Sequence, residues 1–134
     1  MATPPKTVLI VDDNFTVRAA LRAFVERTMG MQVCGSAANG AEAIEKAGEC
    51  KPDLVLMDLS MPLMNGLDAA SAIKRAAPGA RIVVFTLYSD PLGKLLATAT
   101  GVDLVISKSD GPAGLLHGLG SLFEQPTAAA PTVR

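Results

Sequence analysis

The chain has 134 residues, the size of one compact domain, and its 49% hydrophobic and 19% charged residues supply core material without a disorder signature. A net charge of −1 with scattered Lys and Arg excludes the basic stripe of a nucleic-acid binder, so this chain alone is not expected to contact DNA or RNA. No apolar run approaches the roughly 18 to 20 residues of a membrane span, and the segment Met1 to Lys6 does not read as a secretory signal, so a cytoplasmic location is expected.

Thr7 to Val11 reads as a short strand, and after the acidic pair Asp12-Asp13 the residues Val17, Leu21, Phe24 and Val25 recur at helical spacing. Met31 to Ala37 reads as a second strand. Asn39 is placed to cap a helix over Gly40 to Cys50, and Pro52 precedes a third strand, Leu54 to Met57. A helix is expected from Asn65 to Ala77, stopped by Pro78-Gly79. Arg81 to Thr86 follows, and its Ile-Val-Val-Phe core suits a strand buried on both faces, as in parallel sheets. Ser89-Asp90-Pro91 opens a fourth helix with Leu92, Leu95, Leu96 and Ala99 inward and Gly101 at its end. Leu104 to Ser107 makes a fifth strand, and Leu115, Leu116, Leu119, Leu122 and Phe123 mark a last helix starting near Pro112. Gly114, Gly118 and Gly120 lie inside it, each costing about 0.5–1 kcal/mol relative to Ala, which makes this the most easily deformed element.

Residues 1–124 therefore form one domain, and the Pro/Ala/Thr-rich residues 125–134 a tail or linker. Five strands alternating with five helices imply an α/β fold, because parallel strands need crossovers. Five strands suit the doubly wound, flavodoxin-like (βα)5 order 2-1-3-4-5, with function at the carboxyl ends of the strands. Cys34 and Cys50 lack metal-ligand spacing and read as free thiols. His117 has no acid or metal constellation and reads as surface.

The residues following the strands are Asp12 and Asp13 after the first, Asp58 after the third, Thr86 closing the fourth and Lys108 after the fifth, all on one rim. Adjacent strands lie about 4.8 Å apart, so Asp58 must crowd Asp12 and Asp13. Two such charges at 4 Å and an effective dielectric near 20 repel by roughly 4 kcal/mol. A raised carboxyl pKa or a bound cation relieves this, and three hard oxygen ligands favour Mg²⁺. Either Asp12 or Asp13 alone could simply cap the first helix; the conjunction with Asp58, Thr86 and Lys108 points instead to phosphoryl transfer. Asp58, ending a buried strand, is the candidate nucleophile, with Lys108 and Thr86 as donors to phosphoryl oxygens.

From Thr7 to Phe123 the chain resembles the receiver domain of two-component response regulators, the CheY-like family. The resemblance rests on Val11-Asp12-Asp13-Asn14, Met57-Asp58-Leu59-Ser60-Met61-Pro62 with Asn65-Gly66, Phe85-Thr86, and Lys108. It implies phosphorylation of Asp58 by a sensor histidine kinase or phosphotransfer protein. It also implies direct Mg²⁺ ligation by Asp13, Asp58 and the Ser60 backbone carbonyl, with Asp12 acting through water. The output is expected to be a contact with a downstream protein target or, in a longer chain, a C-terminal effector domain; a homodimer is left open. Asp58 to Pro62 and Thr86 to Tyr88 look most like receivers that precede helix-turn-helix domains. The chain departs from the family at Val105, where an aromatic residue usually stands, at Ser109, where many members have Pro, and at Leu87, where many have a smaller residue.

Two alternatives carry less of the sequence. Asp12-Asp13-Asn14-Phe15-Thr16 loosely resembles the nucleophile loop of haloacid-dehalogenase-like phosphohydrolases, but Asn14 replaces the second acid and Asp58 is left without a role. A flavodoxin-like cofactor binder would need a hydroxyl-rich phosphate cradle where this chain is acidic.

Overall fold

A computed structural model describes residues 6–58, 66–86 and 101–124. The elements run β1 (Thr7–Val11), α1 (Phe15–Thr28), β2 (Gln32–Ala37), α2 (Gly40–Cys50), β3 (Leu54–Met57), α3 (Gly66–Ala76), β4 (Arg81–Thr86) and β5 (Leu104–Ser107), then a 3-10 turn (Lys108–Asp110) and a C-terminal helix (Gly111–Glu124). The strands form one parallel sheet in the order β2-β1-β3-β4-β5. This is the doubly wound order expected from the strand count. The helix expected after Ser89, together with Ser60 and the tail beyond residue 124, lies outside the described residues.

Alternation along the strands sorts the core into two layers. Leu9, Val11, Val55, Met57, Ile82 and Val84 pack with Ala43, Ala47, Ala70 and Ile73 of α2 and α3. Val8, Ile10, Leu54, Leu56 and Val83 pack on the other face with Leu21 and Val25 of α1 and Leu115 and Leu119 of the C-terminal helix. All four residues of β3 are buried, as befits a central strand covered on both sides.

At the amino ends of the strands, two carboxylates hold the sheet in register. Asp53 accepts from the Thr7 amide at 2.8 Å, and Asp103 accepts from the Ile82 amide at 2.8 Å. Lys74 completes the second junction, donating to the Ala80 carbonyl at 2.7 Å and to Asp103 at 3.1 Å.

Cys34 and Cys50 are joined in a disulfide, which corrects the expectation of free thiols. The β1–β2 register passes from Val8↔Val33 to Leu9↔Gly35, so Cys34 is the extra residue of a β-bulge. A bulge re-aims the side chain it frees, and here it meets the last residue of α2. Neither the bulge nor the return path of α2 could be inferred from cysteine spacing.

The glycines of the C-terminal helix are not equivalent. A Cβ at Gly118 would lie 2.7 Å from Ile106 Cδ1 and 3.2 Å from Leu104 Cδ2, whereas one at Gly120 would meet nothing within 4 Å. Gly118 therefore lets the helix approach β5 closely, while Gly120 only costs backbone entropy. Gly118→Ala is expected to lower the unfolding free energy by about 1 kcal/mol through overpacking, and Gly120→Ala to raise it by about 0.5–1 kcal/mol. Urea unfolding of both variants checks the opposite signs.

Candidate functional site

The parallel ladder continues one residue past the strands. The Asp12 amide donates to the Ala37 carbonyl and the Asp58 amide to the Val11 carbonyl, both at 3.1 Å. These bonds, with Val11 paired to Met57, set the two aspartates side by side at the carboxyl edge. Asp12 is 2% exposed and Asp58 9%. Carboxylate oxygens of Asp12, Asp13 and Asp58 all lie within 4.8 Å of one another.

Capping of α1 falls to Asn14, whose side chain accepts from the Val17 amide at 3.1 Å. The acidic pair is therefore not needed as the cap. Asp12 instead turns one oxygen to the Asn14 amide at 2.9 Å and the other to Lys108 at 3.2 Å.

Lys108 begins the 3-10 turn after β5 and donates from Nζ to Asp58 at 3.1 Å as well. Burial pulls its ammonium toward a lower pKa, but the hydrogen bond and charge of Asp58, followed by those of Asp12, outweigh it and hold the group above the ordinary lysine value. An apolar cavity of about 310 Å³ is lined by Val17, Phe24, Phe85 and Leu115 together with Lys108. Three carboxylates and one ammonium leave a formal charge of minus two on this cluster, which matches a divalent cation.

Thr86 ends β4 opposite Ser107, one residue before Lys108, so its backbone reaches the same rim. Val105, standing where the resemblance leads one to expect an aromatic, lies in β5 and packs against the α2/α3 layer of the core. His117 is exposed. Sequence reasoning missed Arg18, which donates to the Asp12 backbone carbonyl at 2.7 Å and stands 5.7 Å from the ring of Phe15. Phe15, next to the acidic loop, is 74% exposed. Nothing in the sequence marks Arg18 apart from other surface arginines of an amphipathic helix.

The response regulator receiver domain family matches residues 8–119. The chemotaxis protein CheY of Thermotoga maritima is 38% identical over 117 residues, covering 87% of this chain and 97% of that protein. The nitrate/nitrite response regulator protein NarL of Escherichia coli is 34% identical over 115 residues, covering 86% of this chain but 53% of NarL. The response regulator protein VraR of Staphylococcus epidermidis is 33% identical, and the match covers 60% of its length. The chain thus spans a little over half of these longer relatives. A crystal structure of a LuxR-family two-component response regulator from Aurantimonas sp. SI85-9A1 superposes with a TM-score of 0.84 at 31% identity, covering 90% of this chain and 86% of that one.

Proposed function

The chain belongs to the response regulator receiver family, and from that premise we propose that it is a phosphorylation switch in which Asp58 takes a phosphoryl group from a phosphohistidine of a sensor histidine kinase or phosphotransfer protein. The observation that carries this reading is the convergence of Asp12, Asp13 and Asp58, with Lys108 bonded to two of them. The phosphohydrolase and flavin alternatives find no support in the family match.

In the proposed step an Asp58 oxygen attacks phosphorus in line, the P–N bond to the donor imidazole breaks, and its electron pair returns to the ring. Lys108 steadies an equatorial phosphoryl oxygen, and Thr86 donates to another. Asp12, Asp13, Asp58 and the Ser60 backbone carbonyl would hold Mg²⁺, which when bound neutralises charge on the transferring group. Asp58 is a phosphoacceptor and not a turnover catalyst. The receiver occupies 1–124 and residues 125–134 are its tail or linker. It works in the cytoplasm, where it signals through a downstream protein, a C-terminal effector in a longer chain, or a homodimer.

Intact-protein mass spectrometry after exposure to acetyl phosphate tests the reading. One added phosphate per chain, dependent on Mg²⁺, is expected; no addition at all refutes it. Calorimetry should show a single Mg²⁺ site whose affinity drops at least about tenfold in Asp13→Asn, because one of three anionic ligands is lost.

Phe15 offers a way to separate chemistry from partner contact. Its ring is exposed beside the acidic loop and suits the face of a phosphohistidine protein. Phe15→Ala should slow phosphotransfer from such a protein by about tenfold while leaving acetyl phosphate labelling unchanged. Equal slowing with both donors would remove Phe15 from the docking surface.

A further inference from the structure

We propose that Cys34 and Cys50 form a reversible redox site that staples the edge strand to the end of α2. The two residues are brought together by features that do not depend on the bond. Cys34 is the bulge residue of β2, outside the one-to-one pairing with β1, on the open edge of the sheet. Cys50 ends α2, and the chain turns away behind it through Lys51 at φ 47°, the one non-glycine residue with positive φ among the described residues. That turn is held by the Lys51 amide on the Ala47 carbonyl at 3.0 Å and by its ammonium on the Ala76 carbonyl at 2.8 Å. The helix end therefore keeps its place whether or not the sulfurs are bonded.

The Cα atoms stand 6.3 Å apart, inside the span a disulfide closes without backbone movement. Both cysteines are half-buried, so small thiols and oxidants reach them. A cytoplasmic receiver meets a reducing thiol pool, in which bridges that form are usually transient or sensory; the inference rests on the proposed function for this compartment alone. Under peroxide the two thiols lose two hydrogens to give the disulfide and two waters. A dithiol returns the hydrogens by exchange through a mixed disulfide.

The bridge ties residues 16 apart in sequence and so restricts the unfolded chain. It lies toward the amino edge of the sheet, whereas the Asp12 amide bonds β2 at Ala37, at the other end. Closing the bond should therefore raise the thermal midpoint while leaving phosphate uptake intact.

The test equilibrates the full chain in mixtures of reduced and oxidised glutathione, quenches in denaturant with iodoacetamide and measures intact mass. The expected result is a monomer taking two alkyl groups in the reduced mixture and none in the oxidised one, reversibly, with the oxidised form melting on the order of 5–10 °C higher. Cys34→Ser and Cys50→Ser should each abolish both the bridged mass and the redox dependence of melting. Thiols still alkylated after excess peroxide, a bridge that glutathione cannot open in the folded chain, or equal midpoints in the two states would each overturn the proposal. Acetyl phosphate labelling in both redox states keeps the readings apart, since loss of labelling in both counts against Asp58 as acceptor and says nothing of the cysteines.

Discussion

Asp58→Asn should eliminate phosphate incorporation from acetyl phosphate and from a phosphohistidine donor alike, with no residual labelling at unchanged stoichiometry. An amide oxygen keeps nearly the shape of the carboxylate but lacks its charge and nucleophilicity, so the variant separates chemistry from fold. The same change removes one member of a trio whose oxygens lie within 4.8 Å, and with it part of the attraction for a divalent ion. If Mg²⁺ binds as proposed, at 100 times its Kd the wild type should gain about 2.7 kcal/mol by mass action, and the variant much less at the same concentration. Thermal melts with and without Mg²⁺ read this second effect. Phosphate found on the variant at wild-type level would move the acceptor elsewhere.

Lys108→Met is expected to impair both stability and phosphotransfer. The ammonium it removes is bonded to Asp12 and Asp58, whose side chains are 3% and 11% exposed. Removing one partner from such a cluster leaves buried charge uncompensated. Fully buried pairs lose about 3–5 kcal/mol in this way, and because Lys108 retains some solvent contact about 2 kcal/mol is expected here. Mg²⁺ should restore more of this loss in the variant than it adds to the wild type, by supplying the missing positive charge. Phosphotransfer should fall by about 10²–10³, the usual cost of losing one donor to a developing oxyanion.

The pH dependence follows from the direction of the lysine shift. Burial lowers the Lys108 pKa, Asp58 and Asp12 raise it by more, and the folded value ends above the ordinary lysine value of 10.5. A group whose folded pKa is raised stabilises the fold fully below its unfolded pKa and loses that contribution as pH climbs through the folded value. The stability gap between wild type and Lys108→Met should hold constant through neutral pH and close only above about 10.5. Urea unfolding at intervals from pH 7 to pH 12 would show it; a gap that closes near neutrality contradicts the ion-pair assignment.

Much of this was readable from residue order because the governing signals are local. Each strand is an apolar run, and Asn39 caps α2 as its position suggests, accepting from the Glu42 amide at 2.9 Å. The gathering of Asp12, Asp13, Asp58 and Lys108 follows from strand order alone, since each stands at the end of a strand or just beyond it. What could not be read depends on contacts across the chain. The pairing of Cys34 with Cys50 needs a bulge that shifts one side chain, and the difference between Gly118 and Gly120 exists only once the helix lies against Ile106. Asp53 and Asp103 precede strands as unremarkable loop acids, and their engagement of neighbouring strands' amides appears only when the sheet is assembled. Asn14 took the capping duty because its side chain reaches the Val17 amide, which freed the acidic pair for the rim.

Asp53 and Asp103 give the sheet a fixed base. Their carboxylates accept from amides near the start of adjacent strands, Asp103 from Lys74 as well, at the edge remote from Asp58. Alignment of β1 with β3 and of β4 with β5 is thereby decided away from the acidic rim. A phosphoryl group taken up at the opposite edge, as proposed, would change the charge there without the strands sliding past one another, and would be felt as altered side-chain placement instead of as loss of the fold.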